Sequence, residues 1–254
     1  MNSEQKQNII EKIMLTVFLI LLTSMLLASA MFSVLAVPEG PSITFDSNTT
    51  KTASNGTGPR SDGKGVITIL KLNTAQQNMR WKAYLGNVTG TFVLQDAEVY
   101  KIYAWPTTSS VTGQVFISRN SSLTWTTIDC SNSTINQNEE TDLSITDSSF
   151  DSITSTFSAS NHTSFLVATR NMTGCPTAYP YVNSTAQTSN SSANKFQEVL
   201  LGTRDASNVL VYAGLMEQDY SNYKNGTISD FQMIVPDYGS GTSIVPYYFF
   251  VELD

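Results

Sequence analysis

Residues 13–37, IMLTVFLILLTSMLLASAMFSVLAV, form an unbroken stretch without a charged side chain, closed by Pro38. About 20 apolar residues in a helix cross the hydrocarbon core of a bilayer. This stretch therefore decides the compartment in which everything after it folds. Read as an anchor, it is a transmembrane helix. Read as a secretory signal peptide, it is cut at the A-x-A sequence Ala28-Ser29-Ala30 or after Val34-Leu35-Ala36. Lys6 and Lys12 precede it, and the positive-inside tendency keeps residues 1–12 in the cytoplasm. Both readings put the chain beyond Pro38 outside: a cell-membrane protein with an extracellular C-terminal domain, or a secreted one. A pilin-type leader is a poor fit, because Glu11-Lys12-Ile13-Met14 passes into the apolar run without a small residue at the junction.

An exported chain with two cysteines is expected to join them. Cys130 and Cys175 both follow the apolar run, and a bridge closing so long a loop stabilises by about 4 kcal/mol in the chain-entropy treatment. With a single histidine besides, the donors for a structural zinc site are too few. A net charge of −7 and a pI near 4.7 leave no basic footprint for nucleic acid. Charged residues make up only 14%, so solubility must come from Ser, Thr and Asn.

Residues 38–65 (PEGPSITFDSNTTKTASNGTGPRSDGKG) are too poor in hydrophobes to build a core and read as a stalk. A β-rich extracellular domain is expected over residues 66–254, with a division into two subdomains near 120–162 left open. Strand-length runs rich in β-branched and aromatic residues occur at 66–72, 81–85, 91–94, 97–105 and 112–119, and their close spacing predicts a meander. They return at 164–169, 196–201, 208–215, 230–235 and 243–253, the last pair as a hairpin over Pro236–Gly241 with a well-buried final strand. Between them the Ser/Thr/Asn-rich tract predicts a short helix near 139–145. The expected fold is mainly β, an antiparallel, sandwich-like ectodomain. No C-terminal span or lipid anchor is expected after it.

Residues 58–65 (GPRSDGKG) approach a phosphate-binding loop, but Gly65 stands where a magnesium-ligating hydroxyl is required, and no strand precedes them. No nucleotide is expected. His162, in Asn161-His162-Thr163, lacks an identifiable orienting partner for general-base work. The carboxylate pairs Asp147/Asp151 and Glu139/Glu140 lie in polar surroundings and read as solvated faces. Residues 219–230 have the length of a calcium-binding loop but carry Lys224 where a glycine is needed. Trp81, Trp105 and Trp125, with Tyr84, Tyr100 and Tyr103, are the residues able to stack on sugars, although strand aromatics more often pack. No catalytic residue, cofactor or metal is assigned.

The strongest repeated signal is the glycan acceptor N-x-[ST], at Asn48, Asn55, Asn87, Asn120, Asn132, Asn161, Asn171, Asn183, Asn190 and Asn225. That is about twice the number this composition gives by chance. Asn48, Asn55, Asn132, Asn183 and Asn190 are expected to be the most accessible, with Asn87 on a turn less so. The stretches WKAYLGNVTGTFVLQDAEVYKIYAW (81–105) and YYFFVEL (247–253) resemble uncharacterised exported proteins of archaea, over about residues 66–254; the resemblance implies a cell-surface setting. The expected function is a glycosylated structural or adhesion protein of the envelope, meeting other envelope proteins or glycans. The alternative is an extracellular carbohydrate- or peptide-binding module, and a third reading is a secreted hydrolase.

Overall fold

The computed structural model describes residues 37–53, 60–106, 112–238 and 243–253. The anchor or signal reading of residues 13–37 thus lies outside the described residues, Val37 apart. Among the described residues no helix is long and apolar enough to cross a membrane. The described chain is mainly β, with antiparallel ladders throughout.

In chain order the strands and helices are β1 (Trp81–Gly86), β2 (Thr91–Gln95), β3 (Lys101–Pro106), β4 (Gly113–Ser118), β5 (Ile128–Cys130), α1 (Ser133–Asp142), α2 (Ile153–Thr156), β6 (Phe165–Val167), β7 (Arg170–Met172), β8 (Thr177–Ala178), β9 (Glu198–Thr203), β10 (Leu210–Leu215), β11 (Tyr220–Ser221), β12 (Ile228–Ser229), β13 (Phe231–Pro236) and β14 (Tyr248–Leu253). One sheet organises them, in the order β14-β4-β10-β9, followed by a last line that β5 and β8 share. Opposite β9, Ile128–Cys130 face Thr203–Leu201, and Thr177–Ala178 face Val199–Glu198. The Ser131 amide bonds the Leu200 carbonyl and the Leu200 amide bonds the Pro176 carbonyl, so the line continues across the gap. The chain therefore leaves an edge strand after Ser131 and rejoins the same line at Pro176.

This sheet is covered on both faces, which is why β4, β9 and β10 are apolar runs rather than alternating ones. Successive residues point to opposite sides. Phe116, Val199, Leu201, Val211 and Ala213 pack with Trp125 and with Phe165, Val167 and Met172 of the β6–β7 hairpin. Val115, Ile117, Leu200, Leu210 and Tyr212 pack with Ile135, Ile153 and Phe157 of the helical segment and with Met233 and Val235. The two-layered, sandwich-like expectation narrows to one place, where the β1–β13 pair lies over this second face. Two glycines permit the close approaches. A Cβ on Gly214 would stand 2.6 Å from Met233 Cγ, and one on Gly202 2.6 Å from Ile135 Cδ1.

The meander is not what forms. β1 pairs with β13, β2 with β3, and β4 sits between β14 and β10. Adjacency in sequence set the expectation, whereas β1 finds its ladder about 150 residues later in the chain. For the same reason the last two strands are not a hairpin: β13 pairs with β1, and β14 with β4. β14 is an edge strand, half-buried rather than fully buried, and its outer side meets the chain at one bridge, Glu39 to Val251 (2.9 and 2.8 Å). The predicted helix is displaced toward the N-terminus. Asn132 Oδ1 accepts the Ile135 amide (2.9 Å) as an N-cap, and this fixes the start of α1.

The run 66–72 (VITILKL) forms neither strand nor helix and belongs to no ladder among the described residues, and its side chains are exposed apart from the partly covered Thr68. Residues 37–53 and 60–79 are likewise without strand partners among the described residues, beyond the Glu39 bridge.

Candidate functional site

The densest charged cluster lies where α1 meets the end of β4. Arg119 follows Ser118 directly, so its side chain leaves the sheet beside the helix. Its Nε and Nη2 donate to Glu139 Oε1 and Oε2 (2.7 and 2.8 Å), and Nη2 also donates to Asp142 (2.8 Å). Glu139 and Asp142 are three apart on one helical face. Burial pushes the Glu139 carboxyl up, against the pull of Arg119; the Glu139 hydrogen bond holds the Arg119 guanidinium above its ordinary value. Beside this cluster opens a concavity of about 500 Å³, rimmed by Asn120, Asn138, Ser207, Asn208 and Tyr248. Its cation is already committed to two carboxylates, and what the rim offers besides is amides and hydroxyls. Asn120, which begins an N-x-[ST] sequence, stands on that rim.

The other buried ionisable groups fasten elements together. Glu198 on β9 is fully buried, and its Oε2 accepts the Ile234 amide (2.9 Å), tying β13 to the sheet. Burial pushes this carboxyl well above the usual carboxylate range, against the pull of the Ile234 amide. Glu140 Oε1 accepts the Thr154 amide at the start of α2 (2.9 Å). The solvated face expected for Glu139/Glu140 is thus corrected: both are buried and structural. Asp151 departs from that expectation too, accepting from Arg80 Nη1 (3.0 Å) and Asn78 (3.0 Å).

His162 is buried as well. Its Nε2 accepts the Cys175 amide (3.0 Å), so the ring is neutral and Nδ1–H donates to the Thr163 carbonyl (2.9 Å). Burial lowers its pKa further. A histidine with both nitrogens used by backbone has no lone pair left for a substrate. It braces the chain beside the Cys130–Cys175 disulfide, which is formed and sits where the chain leaves and rejoins the edge line.

The acceptor asparagines can now be placed. Asn55 lies outside the described residues. Asn48, Asn87, Asn132, Asn161, Asn171, Asn183, Asn190 and Asn225 are exposed, and Asn120 is half-buried. Two of them clasp each other: Asn190 Oδ1 accepts the Ser160 and Asn161 amides (3.1 and 2.9 Å), while Asn161 Nδ2 donates to the Asn190 carbonyl (3.1 Å). The Asn161 nitrogen that would carry a sugar is therefore engaged. The Asn87 turn is fixed by Asp230, which accepts the Val88 and Asp219 amides (2.7 and 2.9 Å). Asp230 is committed to backbone rather than to a cation, and the described residues contain no cluster of three metal-ligating side chains.

The aromatic residues divide. Trp125 is buried against Phe116 and Phe250, and Trp81 donates Nε1–H to the Asp151 carbonyl (2.8 Å). Tyr84 stands edge-on to Phe249. Trp105, Tyr103 and Tyr100 are exposed. In the β2–β3 register Phe92 faces Trp105 and Leu94 faces Tyr103, so these four share one side of a two-stranded ribbon. Sequence reasoning missed Arg119, Glu198 and the capping role of Asn132. Only the last had a signal, an Asn just ahead of a helix-compatible run. No protein-family model, no curated protein and no solved structure matches this chain.

Proposed function

We propose that this chain is a glycosylated structural or adhesion protein of the cell envelope, held outside the cell by, or released from, its apolar run at 13–37. The observation that carries the reading is the contrast between what the domain buries and what it offers. Arg119, Glu139, Glu140, Glu198 and His162 are spent on joining segments. What faces solvent is acceptor asparagines, hydroxyls and an aromatic ribbon. Sugar on those asparagines would hydrate a surface poor in charge and shield its loops from proteolysis. Intact-mass measurement on protein from its native host tests this. Masses above the polypeptide in hexose-sized steps are expected, and a bare-polypeptide mass would remove the glycoprotein reading.

A second reading, an extracellular carbohydrate-binding module, rests on the exposed side of β2–β3, where Tyr103 and Trp105 lie with ring centroids 4.7 Å apart. A glycan array decides it: binding that is lost in Trp105→Ala supports the module, and no binding sets it aside.

A further inference from the structure

Two parts of this chain are built like sheet but lack what a sheet needs. Residues 66–72 are a strand-length, β-branched run that forms neither strand nor helix among the described residues. In it only the Val66 amide bonds elsewhere, to the Gly63 carbonyl (3.4 Å), among the described residues. Ile67 and Ile69 are 93% and 91% exposed. Among the described residues the β2–β3 ribbon has only two strands, and its side chains are open to solvent: Phe92, Leu94, Tyr103 and Trp105 on one side, Ile102 at 83% exposure besides. An isolated two-stranded ribbon is marginal in water; a third strand with an apolar face is the usual remedy. Unpaired strand edges of this composition recruit another strand.

We infer that residues 66–72 of one copy add as a strand to the β2–β3 ribbon of a second copy. This deepens, and rests on, the reading of the chain as a structural envelope protein. The occupant is argued from complementarity within one sequence. The run lacks a sheet, and the ribbon lacks a strand. Exposed Lys64 precedes the run and exposed Lys71 lies near its end, while exposed Asp96 and Glu98 sit at the ribbon's turn, and none of the four forms an ion pair among the described residues. Main-chain bonds would supply the affinity, and the Ile67/Ile69 side chains against the ribbon the specificity. Donor and acceptor surfaces differ, so the contact is head-to-tail. It closes as a reciprocal pair or a ring, or propagates into a filament.

The test uses the full chain co-expressed in two differently tagged forms. One carries Thr68→Cys, and the other Val93→Cys or Ala104→Cys to sample both ribbon edges. A disulfide between the two tags under mild oxidation is expected with one of the ribbon cysteines. It should disappear when Ile69→Pro is added to the Thr68→Cys form, because proline removes a ladder donor. No cross-tag product with either ribbon cysteine overturns the proposal, as does a product that survives Ile69→Pro. Glycan binding that needs Trp105, without cross-tag product, also overturns it by giving the ribbon to sugar. The intact mass of the same protein reports glycosylation independently, so a failed strand contact is separable from a failed envelope reading.

Discussion

β4 and β3 are both six-residue strands rich in aromatic and branched side chains, GQVFIS and KIYAWP, and they meet opposite fates. β4 has a ladder on each side and a packed layer above and below, and all six of its residues are buried. β3 has one ladder, and Ile102, Tyr103 and Trp105 look into solvent. Composition thus states a capacity to pair; the number of partners in reach decides whether it is used. The same contrast separates residues 66–72, which have no strand partner among the described residues, from β9, which has three.

Substitution sharpens this comparison. We predict that Phe116→Ala, deleting a ring packed against Trp125 in the core, costs about 3–5 kcal/mol in denaturant unfolding. The matching change Ile102→Ala in β3 should stay within about 0.5 kcal/mol for the unassembled protein. Equal losses at the two sites would mean that the ribbon is packed in solution. Removing the disulfide by the double change Cys130→Ser and Cys175→Ser is expected to cost about 4 kcal/mol, seen as a lower midpoint without loss of the β signal by circular dichroism. An unchanged midpoint would show that the edge line holds itself.

Much of this contrast could be read from residues, and some could not. β4, β9 and β10 were legible because apolar runs of strand length are bounded by turn residues, and the disulfide because only one pairing of two cysteines exists. The ladder of β1 with β13 was not legible, since alternation identifies strands without naming their partners. The helix start was obscured because α1 turns Asn136, Glu139 and Glu140 inward, so its buried face is polar and shows no apolar stripe. Arg119 reads as an ordinary surface cation until α1 brings two carboxylates to it.

Two smaller effects probe the buried polar groups that the ribbon lacks. Glu198 has a raised pKa when folded, so its contribution is present below the unfolded value and fades as pH rises through the folded one. Glu198→Gln keeps an acceptor for the Ile234 amide without the buried charge. We predict that its thermal midpoint exceeds that of the parent on the alkaline side and converges toward it in acid; a gap independent of pH would refute the assignment. His162 has the opposite sign. Its folded pKa lies below the ordinary 6.5, so stability is lost as pH falls from about that value toward the folded one, where the ring must charge and the Cys175 amide loses its acceptor. The acid limb of a midpoint-versus-pH curve should flatten over this window in His162→Gln, and an unchanged limb would assign the effect elsewhere.

The excursion between Ser131 and Pro176 has a consequence for cooperativity. It contributes Ile135, Ile153 and Phe157 to one side of the sheet and Phe165, Val167 and Met172 to the other, and it starts and ends at one disulfide. A covering that wraps around an edge cannot peel from one side alone without pulling on its return path. Amide exchange in β9 and β10 should therefore report a single opening event for both sides, and reduction of one bond would loosen the two together.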